Sequence, residues 1–287
     1  MYNVSDIIKE HQNKMKTQRL IDMHVHTDNS PDGVHSPMYI CEHAVKNNLG
    51  AICFTDHCEI DTYYKDKYNS MVFHSFFECS KARAAFRGQL LVLIGLEVGQ
   101  PLSNTELADK ILSENPYDFI LGSIHTPKGF DGLDIKELPY DEFDVYGFMR
   151  NYFSELTELA GYKGCDCLSH ITAPMRRIEG KYNINFDYSK IQSATDTLLK
   201  EVIANNKSIE INTSGLRQPM GKTMPEESII RRYRELGGTK ITVGSDSHTA
   251  HDVGKGIEEG ILLAKKCGFQ KLTFYVKREP IEVEIIL

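Results

Sequence analysis

The chain has seven cysteines, at positions 41, 53, 58, 79, 165, 167 and 267, yet no Cys-x-x-Cys pair among them. That absence excludes a zinc ribbon and a thioredoxin-type redox motif, and the odd number argues for a reducing compartment over a disulfide framework. No stretch approaches ~18 uninterrupted apolar residues, and the N-terminus has no basic segment followed by an apolar one, so neither a membrane span nor a signal peptide is expected. A cytoplasmic protein without a membrane partner follows. Positive charge is also scarce: 33 Lys and Arg stand against 40 Asp and Glu, a formal net charge of −7. Such a balance gives no bulk attraction to nucleic acid, and an anionic ligand must be held by local positive charge. The densest basic stretch, Lys14 to Arg19, reads as part of a solvated leader helix or extension over residues 1–19. No Pro/Gly/Ser-rich linker breaks the chain. One domain over residues 1–287 is expected, a length that barrels of alternating strands and helices reach.

What is present is a regular alternation of short apolar runs and amphipathic stretches. The candidate strands are residues 20–26, 51–57, 90–97, 118–125, 166–170, 208–213 and 240–246. Between them lie helical patterns with recognisable punctuation. Ser36-Pro37 supplies an N-cap and first helical residue, with Gly50 as the left-handed stop, and Pro225 opens a helix that closes at Gly237-Gly238. Strand and helix repeated in this way predict an α/β fold with a parallel sheet. Nearly every candidate strand ends in residues suited to metal or phosphate chemistry: His24-x-His26, Thr55-Asp56-His57, Glu97, His125, His170, Asn212-Thr213 and Asp246-x-His248. In a parallel barrel all C-terminal strand ends open onto the face that carries the active site. Residues i and i+2 of a strand point the same way, so His24 with His26, and Asp246 with His248, can each converge on one ion or on adjacent ions. A last run, Leu272–Val276, ends in Lys277-Arg278 without a ligand and reads as an add-on.

Singly, these residues have ordinary explanations. A lone histidine is more often a satisfied core or rim residue, and Asp22 or Asp56 can cap a turn. Jointly they do not. Imidazole and carboxylate suit zinc, iron and manganese, and six histidines with one Glu and one or two Asp exceed the four ligands of a tetrahedral zinc. Two or three divalent ions are expected. His11, His35, His43, His74 and His251 lie in helical or loop stretches and read as surface, whereas Cys58, Cys165 and Cys167 read as structural thiols.

His24-x-His26, Thr55-Asp56-His57, Gly95-Leu-Glu97, Gly122-Ser-Ile-His125, Leu168-Ser-His170 and Gly244-Ser-Asp246-Ser-His248 together resemble the PHP (polymerase and histidinol phosphatase) superfamily. The match runs from about Leu20 to the end of the chain. The resemblance implies a distorted (β/α)7 TIM-like barrel with a trinuclear metal centre. His24, His26, Glu97 and Asp246 would hold one ion, His57 and His248 a second, and Glu97 would bridge to a third held by His125 and His170. Where many members carry another histidine ligand this chain has Asp32, in Ser30-Pro-Asp-Gly33, and a carboxylate can still ligate. His170-Ile-Thr-Ala-Pro-Met-Arg176 and Glu210-Ile-Asn-Thr-Ser-Gly-Leu-Arg217 resemble histidinol-phosphate phosphatases, in which arginines at these places bind the phosphate. Arg176 and Arg217 are therefore the expected substrate-binding residues, with Arg177 the weaker neighbour, and Glu97, Asp246 and His248 the catalytic set.

The implied activity is metal-dependent hydrolysis of a small phosphate monoester, L-histidinol phosphate in histidine biosynthesis, with a hydroxide bridging two ions as nucleophile. The rivals are another PHP-type phosphoesterase acting on nucleotides or nucleic-acid ends, and a non-catalytic metal-binding regulator. The absence of a basic track counts against a nuclease, and the nearly complete ligand set against a degenerate binder. Loops 60–75 and 127–142, with Asp61, Tyr63, Tyr64, Tyr68, Asp131 and Asp134, are the places where an imidazole or ammonium could be recognised.

Overall fold

A computed structural model describes residues 20–130 and 132–285. The expected leader over residues 1–19, His11 and Asp131 lie outside the described residues. Eight parallel strands alternate with helices: β1 (Ile21–Val25), β2 (Ala51–Phe54), β3 (His57–Glu59), β4 (Leu91–Gly99), β5 (Phe119–Ser123), β6 (Cys167–Leu168), β7 (Ser208–Asn212) and β8 (Ile241–Gly244). Their order is β1-β2-β4-β5-β6-β7-β8, with β3 beside the upper half of β4. β2 pairs with Leu91 to Ile94 and β3 with Glu97 to Gly99, so the two form one stave interrupted at Thr55-Asp56. Seven staves result, as the sequence predicts, and their bounds fall within a few residues of expectation. The sixth is much shorter than residues 166–170 suggest.

The barrel nearly closes between β1 and β8. At the top of that seam the Asp246 amide donates to the His24 carbonyl (2.8 Å) and the His26 amide to the Ser247 carbonyl (2.9 Å). Lower down, a side chain replaces the ladder. The buried Asp22 carboxylate accepts from the Ser245 amide (2.8 Å), the Ser245 hydroxyl (2.5 Å) and the Gly254 amide (2.9 Å). Asp22 is thus a structural clasp, in line with its reading as a turn-capping residue.

The helices are α1 (Pro37–Lys46), α2 (Tyr68–Ala85), α3 (Thr105–Glu114), α4 (Val145–Gly161), α5 (Met175–Ile178), α6 (Gln192–Ala204), α7 (Glu227–Glu235) and α8 (Ile257–Lys266). None is long and apolar enough to cross a membrane. Ser36 caps α1 as expected, its hydroxyl accepting from the Tyr39 amide. The left-handed stop, however, is Asn48 (φ 59°) and not Gly50, because α1 ends at Lys46 and asparagine tolerates that conformation. Pro225 lies just ahead of Glu226, the N-cap of α7, and Gly237 (φ 101°) stops that helix as expected.

Inward positions in the lower half of the barrel are mostly apolar: Ile21, Met23, Ala51, Cys53, Leu91, Leu93, Phe119, Leu121 and Cys167 form one cluster. Phe274, Tyr275 and Val276 complete it. They lie on β9 (Lys271–Val276), which pairs antiparallel with β10 (Glu279–Glu284). The run expected as an add-on is therefore a hairpin that plugs the bottom of the barrel. Tyr275 stacks on Phe119 with centroids 4.9 Å apart, and Arg278 Nε donates to Asp166 (2.6 Å) at the foot of β6. With a hydrophobic plug below, the candidate ligands are gathered at the upper mouth. Phe274 is 1% exposed, so Phe274→Ala should destabilise the fold by about 3–5 kcal/mol through lost burial and a cavity. Equilibrium denaturant unfolding measures this, and a loss well under 1 kcal/mol would contradict the plug.

Candidate metal centre

The histidines of β1 reach the mouth through an irregularity. Asp22 pairs with Ile52 and Val25 with Phe54, so Met23 and His24 together oppose the single residue Cys53. This bulge lets Met23 stay in the apolar interior cluster while His24 and His26 both face the mouth. On β4 the alternation Leu91, Leu93, Gly95, Glu97 carries the carboxylate of Glu97 to the same level. Gly244 on β8 must lack a side chain, since a Cβ there would lie 2.3 Å from Glu210 Oε1 and 2.4 Å from His24 Cβ. Two residues on, Asp246 adopts φ 52°, a left-handed conformation that non-glycine residues seldom take. Its amide is tied to the His24 carbonyl, and its Oδ2 accepts from Asn212 Nδ2 (3.2 Å), Ser214 Oγ (3.2 Å) and Arg176 Nη2 (2.5 Å).

Glu97 stands at the centre of the assembly and is fully buried. Its Oε2 lies 3.3 Å from His24 Nε2, 3.5 Å from His26 Nε2 and 3.2 Å from His57 Nδ1. Its Oε1 lies 2.8 Å from His170 Nε2 and 3.3 Å from His125 Nε2. The two oxygens thus face two different histidine sets. Asp246 Oδ1 lies 3.7 Å from His24 Nε2 and 3.5 Å from His26 Nε2, adding a second carboxylate to the first set. His248 stacks on His26 at 4.2 Å. Asp32 Oδ1 lies 3.3 Å from His248 Nε2 and 3.6 Å from His57 Nε2. Every residue expected as a ligand is therefore present at the mouth, Asp32 included. His57 sits between two sets, with Nδ1 toward Glu97 and Nε2 toward Asp32.

The donor chemistry fits divalent cations. His24 Nδ1 bonds Glu210 Oε1 (2.7 Å), His125 Nδ1 bonds Glu59 Oε1 (2.8 Å) and His26 Nδ1 meets Ser30 Oγ (3.1 Å). Outer partners of this kind orient the rings and turn Nε2 inward. There His24 Nε2 and His26 Nε2 approach to 2.9 Å, while His57 Nδ1 and His248 Nε2 are buried without a hydrogen-bond partner. Burial and then the neighbouring His248 and His57 hold the His26 pKa well below that of free imidazole. Glu97 and Asp246 resist burial: His24 and further histidines around Glu97, and His24 with Arg176 around Asp246, hold both carboxyls well below the usual range. A mouth of inward imidazole nitrogens and ionised carboxylates is the donor set that a cluster of transition-metal ions requires.

Above the ligands lies a cleft of about 430 Å³, with Asp32, Asp246 and His248 on its floor and Arg176, Arg217, Lys136 and Asp252 on its walls. Arg217 Nη2 donates to the Ser245 carbonyl (2.8 Å). Arg177 is not among the cleft residues. Nor are the loop residues expected to meet an imidazole: Tyr63 and Tyr68 are buried in the core, Asp61 accepts from Thr126 Oγ1, and Asp134 caps the Lys136 amide. For Tyr63 and Tyr68 that expectation fails because both pack into the large apolar core, whereas Tyr64 is exposed and lines no part of the cleft. His35, His43, His74 and His251 lie apart from the ligand groups, His35 and His43 half-buried. Asp56 is structural, accepting from Thr27, Ser30 and Ser75 hydroxyls.

Sequence reasoning passed over Glu59, Glu210 and Lys136 as functional residues. The signal for the first two was available: Glu59 is two residues beyond His57 and Glu210 two before Asn212, each on the inward parity of its stave. Glu210→Gln keeps the shape and removes the charge that orients His24. It is expected to weaken metal affinity by roughly 10–100-fold while leaving the fold intact, which competition with a chelator followed by elemental analysis would measure. Unchanged affinity would reduce Glu210 to a packing residue.

The family model described as PHP domain matches residues 22–214. The probable histidinol-phosphatase of Clostridium acetobutylicum is 29% identical over 265 residues, which cover 90% of this chain and 98% of that protein. The histidinol-phosphatase of Lactococcus lactis subsp. lactis is 24% identical, with 89% and 94% covered. Among solved structures, the histidinol phosphate phosphatase of Lactococcus lactis, complexed with Zn, L-histidinol and phosphate, is similar with a TM-score of 0.76 at 22% identity, covering 91% of this chain and 98% of that one.

Proposed function

The chain belongs to the PHP domain family, and on that premise we propose that it is a metal-dependent phosphatase that hydrolyses L-histidinol phosphate to L-histidinol and phosphate. The observation that carries the reading is the buried Glu97 carboxylate shared between two histidine sets beneath a cleft walled by Arg176 and Arg217. With Glu97 shared between them, His24, His26 and Asp246 would hold one ion and His125 and His170 another, while His57, His248 and Asp32 would hold a third. Divalent ions bound there supply Lewis acidity toward the phosphoryl oxygens and bring the ionisation of water to about pH 7.

The rest is done by the chain. Arg176 and Arg217 offer planar guanidinium forks to a phosphate dianion that the acidic chain would otherwise repel. Arg176 also clasps Asp246, coupling the phosphate end of the cleft to the ligand floor. Glu210 and Glu59 hold His24 and His125 in register, and the apolar plug keeps the floor closed from below. The substrate follows the curated relatives, whose names give histidinol phosphatase.

The test is a panel on the metal-reconstituted protein, with histidinol phosphate beside nucleoside monophosphates and sugar phosphates. A preference for histidinol phosphate of at least about a hundredfold in kcat/KM is expected, roughly the loss of two charged or stacked contacts in the poorer substrates. Equal or better turnover of a nucleotide would remove the substrate assignment and leave the metallophosphatase chemistry standing.

A further inference from the structure

We propose that Lys136 is the third cation of the phosphate site, held ready on Asp32 and donating to the phosphoryl oxygens once a substrate enters, a role that rests on the phosphatase reading. The Lys136 ammonium lies 3.5 Å from Asp32 Oδ2, whereas Asp32 Oδ1 faces His57 and His248. One carboxylate therefore serves the ligand floor with one oxygen and the lysine with the other. Lys136 does not compete with an ion for Oδ1. An ammonium has three donors, and Asp32 is the one side chain it meets among the described residues, so two N–H groups remain for acceptors in the cleft.

The other cations of the cleft are already committed. Arg176 donates to Asp246 and Ser214, and Arg217 to the carbonyls of Ser245 and Lys255 with Asp252 nearby. Among the described residues Lys136 has only Asp32, whose side chain is 45% exposed. An exposed pair of that kind contributes little to stability, so the pair has small structural weight. The backbone beside it is firmly placed. The amide of buried Ile135 donates to the carbonyl of His125 (2.8 Å), Tyr140 Oη donates to the Ile135 carbonyl (2.9 Å), and Asp134 Oδ1 accepts from the Lys136 amide (2.6 Å). A long, flexible cationic side chain thus springs from a point pinned to a candidate ligand, beside the cleft where a dianion would sit. Lysine binds phosphate as a mobile point charge, complementing the fixed forks of the two arginines.

The experiment uses the metal-loaded full chain with inorganic phosphate as the probe, in wild type, Lys136→Gln and Lys136→Arg. Phosphate affinity is read by calorimetry and by competitive inhibition, and metal content by elemental analysis. Lys136→Gln should bind phosphate about 10–100-fold more weakly, as expected for one charge-assisted contact, with KM raised more than kcat is lowered and metal content unchanged. Lys136→Arg should recover most of the affinity. Phosphate affinity within twofold of wild type in Lys136→Gln overturns the role, and so does a loss that tracks loss of metal, which would make Lys136 a support for Asp32 alone. Wild-type turnover of phosphomonoesters separates the two ideas. If it is present and Lys136→Gln matches it, only this inference fails; if it is absent, the phosphatase reading fails and this role with it.

Discussion

Glu97→Ala is expected to strip the chain of most of its bound metal and to lower kcat/KM for phosphomonoesters by roughly a thousandfold or more, since even an outer partner of a ligand is worth about 10–100-fold in affinity or activity. The reason is positional. Glu97 Oε2 faces His24, His26 and His57 while Oε1 faces His125 and His170, so one truncation removes an anionic donor from two ligand sets at once. It also leaves five imidazoles crowded around the void where the shared carboxylate stood. Elemental analysis after reconstitution should give more than one transition-metal ion per chain in the wild type and a clear fall in the variant. A wild-type stoichiometry that stays at or below one ion, or a variant with normal content and activity, would end the multinuclear reading.

The barrel and the ligand set were legible for the same reason. Inward positions recur every second residue along a strand, so a ligand that ends an apolar run announces both the strand and the mouth. His24-x-His26 and Asp246-x-His248 carry that signal in three residues. The bulge that makes His24 face inward together with Met23 left no trace in the alternation, because it arises from how β1 pairs with β2. Glu59 and Glu210 obeyed the alternation but looked like ordinary strand residues until their partners, His125 and His24, were in place across the barrel. Lys136 comes from a loop whose path no periodicity encodes. The tyrosines of the 60–75 loop misled for the converse reason: Tyr63 and Tyr68 have the composition of a binding loop and the burial of a core. The strand at Leu272–Val276 lacked a ligand because it serves the opposite end of the barrel.

The two arginines of the cleft should separate in a way that sequence alone does not anticipate. Among the described residues Arg217 touches only backbone carbonyls and, at 3.9 Å, the carboxylate of Asp252. Arg217→Ala should therefore remove the proposed phosphate contact without disturbing a candidate ligand. Its expected cost is a rise in KM and a loss of kcat/KM of about 2–4 kcal/mol, the range for a desolvated charge-assisted contact, with metal content unchanged. Arg176 differs because its Nη2 bonds Asp246 Oδ2, and that carboxyl is held ionised, against its burial, by His24 and by Arg176 itself. Arg176→Ala leaves a buried carboxylate in a left-handed backbone without its guanidinium, its Oδ2 then supported, among the described residues, by Asn212 and Ser214. The variant should lose kcat as well as KM and should hold metal less tightly, whereas Arg217→Ala should show a binding defect only. Steady-state kinetics with parallel metal analysis distinguishes them. Wild-type kinetics in Arg217→Ala would return that residue to the solvated surface, and an Arg176→Ala variant with unaltered kcat and full metal would show that Asp246 needs no cation to keep its place.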